Sequence, residues 1–171
     1  RRHTRFRNVT GVQTCAFRSG ELAIISAAIR DEGTSRHYMP IEFPAIADID
    51  IVLALQTAAK KTGAKSRTGI TQSKDSFYGQ HERERMGVAK DLLERWRAWE
   101  IGGALCSEME ASALFVIASM LRVRAGGVMM VHGKEPMPPL DILLQTAVQG
   151  LREIIASDRE KGRSEIGRAH V

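Results

Sequence analysis

Two glutamates, Glu108 and Glu110, interrupt a stretch of the chain that otherwise has the composition of a core. Gly102-Gly103-Ala104-Leu105-Cys106 leads into them and Ala113-Leu114-Phe115-Val116-Ile117-Ala118 follows, so acids here call for a reason. Alternate side chains of an extended segment share a face. If residues 105 to 110 stay extended, Glu108 and Glu110 project the same way, about 6.5 Å apart along the strand. Ionised carboxylates only accept hydrogen bonds, and those from hydroxyl donors are charge-assisted, so such a pair suits a vicinal diol such as the 2′ and 3′ oxygens of a ribose. Met109, between them, offers an apolar wall for the carbon face of the sugar. The same letters also fit a plainer role, with Glu110 in the first turn of the next helix, favoured by its dipole, and Glu108 in water.

A second candidate cluster is Ser76-Phe77-Tyr78-Gly79-Gln80-His81. The Gln80 carboxamide donates and accepts at once, which matches a planar heterocycle carrying adjacent N–H and C=O groups, and Phe77 offers a ring to stack on. Alternatively, Phe77 anchors the loop in the core and Gln80 is solvated.

The elements that must position these residues follow from periodicity and punctuation. Leu22 to Ile29 is a short apolar run that reads as a buried strand, and Thr34 to Pro44, carrying Pro40 and Pro44, reads as a loop. Asp48 or Asp50 caps a helix with Ile51, Leu55 and Ala58 on one face, ended by Gly63. Ser66 to Thr71 reads as a strand, with residues 72–81 as the loop leaving it. A helix from about Val88 to Glu100 places Leu92, Leu93, Trp96 and Trp99 at helical spacing. After the glutamates come a helix over 111–121, a buried strand over 125–131, a Pro-rich loop from His132 to Pro139, and a helix over 140–161. Strands alternating with helix-length crossovers imply an α/β fold, a mixed, largely parallel twisted sheet flanked by helices. Ligands of such sheets collect beyond the carboxyl ends of the strands, where both clusters fall.

The chain has 171 residues, enough for one domain with a core. Of its 25 basic residues, Arg1, Arg2, Arg5, Arg7 and Arg18 lie in the first 18 positions, which hold no acid. Setting these aside leaves the remainder balanced at 20 basic and 20 acidic residues, so the body lacks the basic excess of a nucleic-acid binder. No apolar run is long enough for a membrane span, and no secretory segment opens the chain, which makes the cytoplasm the expected location. Cys106 reads as a buried thiol, and neither a disulfide nor a metal framework is expected. Residues 1–18 and 164–171 lack periodicity and resemble translated adapter sequence, so they are expected to be non-native or disordered tails around a domain at 19–163. No GxGxxG, GxxxxGK[ST] or serine-hydrolase elbow is present.

Assembled in order, IRDEGTS, IEFPAIAD, KDSFYGQH and SEMEASALFVIASMLRVRAG resemble the nucleoside phosphorylases, most closely the uridine phosphorylase branch, over about Gly20 to Val131. The resemblance implies a phosphorylase-like fold truncated at its amino end, a hexamer built from dimers, and reversible phosphorolysis of uridine to uracil and ribose 1-phosphate. It implies no cofactor, with inorganic phosphate as co-substrate. Carried over by position, Glu108 and Glu110 hold the ribose hydroxyls, Met109 packs on the sugar, Phe77 lines the base site and Gln80 reads the uracil edge. Relatives carry an arginine two residues beyond this glutamine; here that place holds Glu82, and the adjacent Arg83 is the candidate substitute. The loop after Val131 also departs from the family, with Glu135 its only acid. The family's phosphate site belongs to an amino-terminal part without a counterpart in these motifs, so the catalytic residues are unassigned and the chain is expected to be an inactive fragment. Alternatives are a purine nucleoside phosphorylase or nucleoside hydrolase of the same fold, and a non-enzymatic α/β module.

Overall fold

A computed structural model of the chain describes residues 19–132 and 138–162. The expected tails, Cys15, and Glu135 of the loop after Val131 lie outside the described residues. The central strand is β1 (Leu22–Asp31), whose Leu22, Ile24 and Ile25 are fully buried. Burial of each such side chain contributes about 1.5–3 kcal/mol. On one side β1 pairs in parallel along its whole length with β3 (Ser66–Lys74), which in turn pairs in parallel with β4 (Cys106–Glu108). On its other side two short antiparallel strands share the edge: β5 (Gly127–Met130) against Leu22 to Ile25, and β2 (Ala45–Ile46) against Ala27 and Ala28. A register shift between Ile25 and Ala27 marks the change of partner. The sheet is therefore mixed with a parallel centre, as the alternation of elements implied.

The pleat of β1 sends its side chains to two cores. Ala23, Ile25 and Ala28 face α4 (Ala111–Met120), where Phe115 and Val116 complete an apolar cluster with Cys106 and Val131. Ile24 faces the opposite way, onto Val52, Leu55 and Ala59 of α1 (Ile49–Thr62). Asp48 caps α1 by accepting from Ile51 N at 3.2 Å, Lys60 and Lys61 occupy its last turn, and Gly63 ends it at φ +72°. Outside α1 lies α5 (Asp141–Glu160), and the two helices approach closely at Gly150, where an added Cβ would stand 2.7 Å from Leu55 Cδ2. Arg124 and Asp158 join the loop before β5 to α5 in a two-pronged ion pair, with contacts of 3.1 and 2.5 Å.

Two expectations are corrected. Residues 72–74 are strand, not loop: Gln72, Ser73 and Lys74 continue β3 because both neighbours pair with it, Arg30 and Asp31 on one side and Ser107 and Glu108 on the other. Likewise Phe77–His81 forms one short helix, α2, with Ser76 Oγ accepting from Gly79 N at 2.9 Å. The amphipathic helix α3 (Ala89–Ile101) buries Trp96 and sets it edge to face with Trp99, ring centroids 5.8 Å apart. The consequence for the site is that Asp31, Lys74 and Glu108 end three parallel strands at one edge of the sheet.

Candidate functional site

The segment Ser107-Glu108-Met109-Glu110 is not one extended run. Strand β4 ends at Glu108, the chain bends through Met109 and Glu110, and α4 starts at Ala111. The cause is the helix's need for acceptors at its first amides. One oxygen of Glu108 accepts from both Glu110 N and Ala111 N at 2.6 Å, and the other accepts from Ser73 Oγ at 2.5 Å. Ser73 Oγ in turn accepts from Ser112 N at 2.9 Å, so Glu108 and Ser73 together stitch α4 to the ends of β3 and β4. Glu110 occupies the helix N-cap position without capping it, and its exposed carboxylate accepts only from Met109 N at 3.1 Å among the described hydrogen bonds. The two acids therefore differ in duty: Glu108 is committed to the fold, and Glu110 is open to a ligand. That reverses the plainer sequence reading, in which Glu110 served the helix and Glu108 the solvent.

Behind the bend, Lys74 is 6% exposed and donates from Nζ to Ser107 Oγ at 2.6 Å. Ser107 Oγ donates onward to Gln80 Oε1 at 2.8 Å. Burial pushes the Lys74 ammonium down to about 8, against the pull of Glu108 and Glu110 nearby. Two cavities adjoin this Lys74–Ser107–Gln80 line. The first, about 200 Å³, is lined by Phe77, Ser107, Glu108, Met109, Glu110 and Met129, with Lys74 at its back. The second, about 160 Å³, is lined by Gln72, Gln80, Arg83, Trp96 and Trp99, and again by Lys74. His81 lies against Phe77, ring centroids 4.1 Å apart; burial, with Lys74 and Arg83 beside it, lowers its pKa and favours the neutral ring.

Comparison with known proteins places this geometry. The model of the Phosphorylase superfamily matches residues 7–153. The chain belongs to this superfamily. The match starts ahead of Gly20, where the motif blocks begin, and ends within α5. Among curated relatives, the uridine phosphorylase of Treponema pallidum is 41% identical over 142 residues, covering 83% of this chain and 52% of that protein. The uridine phosphorylase of Escherichia coli is 30% identical over 146 residues, covering 82% and 58%. The guanosine phosphorylase of Halorubrum lacusprofundi is 30% identical over 114 residues, covering 67% and 43%. The chain thus spans about half the length of the curated relatives it matches.

In this member of the superfamily, the structure brings Phe77, Glu108, Met109 and Glu110 to one cavity. Gln80 and Arg83 line the neighbouring one, where Arg83 also donates from Nη1 to the Gln80 carbonyl at 3.1 Å. Sequence reasoning missed Gln72, Ser73, Lys74 and Ser107. The available signal was a polar run, Gln72-Ser73-Lys74, directly after a strand, at the end of the sheet where ligands gather. No cluster of three or more His, Cys, Asp or Glu able to hold a metal ion occurs among the described residues, and no described helix is long and apolar enough to cross a membrane.

Proposed function

We propose that the chain carries the nucleoside-binding part of a uridine phosphorylase, a pentosyltransferase of pyrimidine salvage. The observation that carries this is a cavity at the carboxyl end of the parallel strands, lined together by an uncommitted carboxylate, Glu110, by Met109 and by the aromatic Phe77. Glu110 accepts from the ribose hydroxyls, with Glu108 holding the turn that presents it; Met109 packs on the sugar, and the base lies towards Phe77 and Gln80. In the reaction, a phosphate oxygen bonds to C1′ as the bond from C1′ to N1 breaks, and the electron pair leaves with the base. Positive charge then builds on the sugar beside Glu110, and negative charge builds on the base towards Lys74 and Arg83. The protein's contribution is positioning and electrostatic stabilisation, without a covalent intermediate.

No cofactor or metal ion is required in this reading, and the setting is the cytoplasm. Assembly into a homo-oligomer, a hexamer built from dimers in the intact family, is supported by the apolar row Leu144, Val148 and Leu151 left exposed on α5. The guanosine phosphorylase among the relatives supports a second reading, a purine nucleoside as substrate. Calorimetric titration of the chain with uridine and with inosine decides between them. Saturable heat with uridine, lost in Glu110→Ala, is the expected result. Binding of neither nucleoside, or uridine binding untouched by Glu110→Ala, would overturn the proposal.

A further inference from the structure

The outer face of α5 is apolar where a solvent-facing helix surface is ordinarily polar. Leu144, Val148, Leu151 and Ile155 are 60%, 48%, 62% and 38% exposed. Their spacing of four, three and four residues is that of a coiled-coil seam. The other side of the helix is committed to the rest of the chain: Thr146, Gly150 and Asp158 are buried, Glu153 pairs with Lys61 of α1, and Asp158 pairs with Arg124. The charges bordering the apolar row differ from these. Asp141, Arg152 and Arg159 are exposed and make no ion pair among the described residues. Beside the row lies an open groove of about 440 Å³, lined by Thr62, Leu144, Gln145, Val148, Gln149 and Arg152. Four of these, Gln145, Val148, Gln149 and Arg152, stand at i, i+3, i+4 and i+7, the corners of the hole into which a facing helix inserts one side chain.

We propose that two copies of the chain associate through this face, their α5 helices packed antiparallel about a two-fold axis at the level of Gly150. It gives the homo-oligomer proposed above a contact, and rests on that part of the reading alone. The row is self-complementary about such an axis, as an isologous contact requires: Val148 meets the partner's Leu151, and Leu144 meets the partner's Ile155. Leu151 then stands over the hole formed by the partner's groove, and the partner's Leu151 over the groove of this copy. The bordering charges select the same orientation, because the axis sets Asp141 opposite the partner's Arg159 at both ends of the contact. Helices packed in the same direction would set aspartate against aspartate and arginine against arginine. A pair of 20-residue helices, about 30 Å long, lies at the low end of specific interfaces. The dimer is therefore reversible, with a dissociation constant on the order of 10–100 µM.

The experiment follows the weight-average mass of the full 171-residue chain by sedimentation equilibrium over about 5–500 µM, at low ionic strength and under reducing conditions so that its two cysteines cannot link copies. The mass is expected to rise with concentration from the monomer towards the dimer. Leu151→Asp, at the exposed centre of the row, is expected to keep the chain monomeric throughout, with the circular dichroism of the parent. Asp141→Arg and Arg159→Asp are each expected to weaken association at least about tenfold, because each brings like charges together. Combined in one chain, the two reversals restore the attraction and are expected to return the constant to within about threefold of the parent's. A chain that is monomeric at every concentration overturns the contact and the homo-oligomer together. A dimer that Leu151→Asp leaves intact overturns the contact alone, and failure of the double reversal to restore association overturns the antiparallel orientation. Uridine calorimetry on the same samples tests the nucleoside site separately, since none of the altered residues lines either cavity at the strand ends.

Discussion

Exchanging the two acids for alanine one at a time separates the roles that the bend assigns to them. Glu108→Ala removes the acceptor of two α4 amides at 2.6 Å and of Ser73 Oγ at 2.5 Å. Loss of a helix-capping acceptor alone costs about 0.5–2 kcal/mol, and hydrogen bonds to charged groups contribute about 1.5–3 kcal/mol each. The contributions overlap because they share one side chain, and water reaches part of this half-buried group, so a total near 2–4 kcal/mol is expected. Glu108→Gln retains an amide oxygen for the two backbone donors and loses the charge, for about 1 kcal/mol. Glu110→Ala removes an exposed carboxylate with one local hydrogen bond, and its effect on stability is expected to stay within about 0.5 kcal/mol. Urea unfolding followed by far-ultraviolet circular dichroism provides the measurement. With a slope of about 2 kcal/mol/M, Glu108→Ala lowers the midpoint by about 1–2 M, and Glu110→Ala leaves it nearly unchanged. Equal destabilisation by the two alanines, or an unchanged midpoint in Glu108→Ala, would refute the division of labour argued here.

Other expectations follow from neighbouring residues. Burial lowers the Lys74 pKa from 10.5 to about 8, so between these values the unfolded chain binds more protons than the folded one. Stability should therefore rise as the pH passes from about 8 towards 10.5, by up to on the order of 2–3 kcal/mol, and that rise should be absent in Lys74→Met when urea midpoints are compared across the range. Cys106 is 1% exposed and burial pushes its thiol up to about 11, so its peptide should stay unmodified by iodoacetamide in the native protein at pH 7.5 and become labelled on denaturation, as read by mass spectrometry. Gly150→Ala gains helix propensity but drives a Cβ to 2.7 Å from Leu55; a net loss of about 1–2 kcal/mol in thermal or urea unfolding is expected. Asp158→Ala, which strands Arg124 beside α5, should cost about 2 kcal/mol by the same assays, the arginine's partial exposure keeping the loss below that of a fully buried pair.

What the sequence made legible depended on whether a residue's surroundings are local. The strand at Leu22, the helix begun at Asp48 and ended at Gly63, and the tryptophan face of α3 each follow from neighbours within a few positions, and each is present. The parallel pairing of β1, β3 and β4 follows from the helices between them. The end of β3 was misread because Gln72, Ser73 and Lys74 have the letters of a solvated loop. They are buried by partners far along the chain: Asp31 for Gln72, Glu108 for Ser73 and Ser107 for Lys74. Hydrophobic periodicity carries no information about such contacts. The same limit explains the glutamates. Residue type marked both as hydrogen-bond acceptors, but which one would be used up in turning the chain into α4 depended on where β4 stopped.

A common physical arrangement links these misread positions. Polar side chains gather where three strands end and satisfy one another: Glu32 from just beyond β1 accepts from Ser112 Oγ of α4 at 2.6 Å, Ser73 of β3 joins Glu108 of β4, and Lys74 joins Ser107. Burial opposes ionisation at Glu32, yet its hydrogen bonds from Ser112 and Ser35 outweigh that and hold its pKa below the ordinary value, which keeps a charge under the helix start. A network satisfied in this way is rigid, because moving any member strands a partner in a low-dielectric setting. The buried side-chain atoms left without a partner among the described residues are few, Gln72 Oε1, Gln80 Nε2 and His81 Nε2, while the Glu110 carboxylate stays exposed at the first cavity. In the function proposed above, rigid support with an exposed carboxylate favours recognition of a sugar, since a preorganised acceptor loses little freedom when the ligand arrives. It follows that substitutions deep in the network, such as Ser73→Ala, should weaken uridine binding without touching the ligand, through a loosened Glu108 turn.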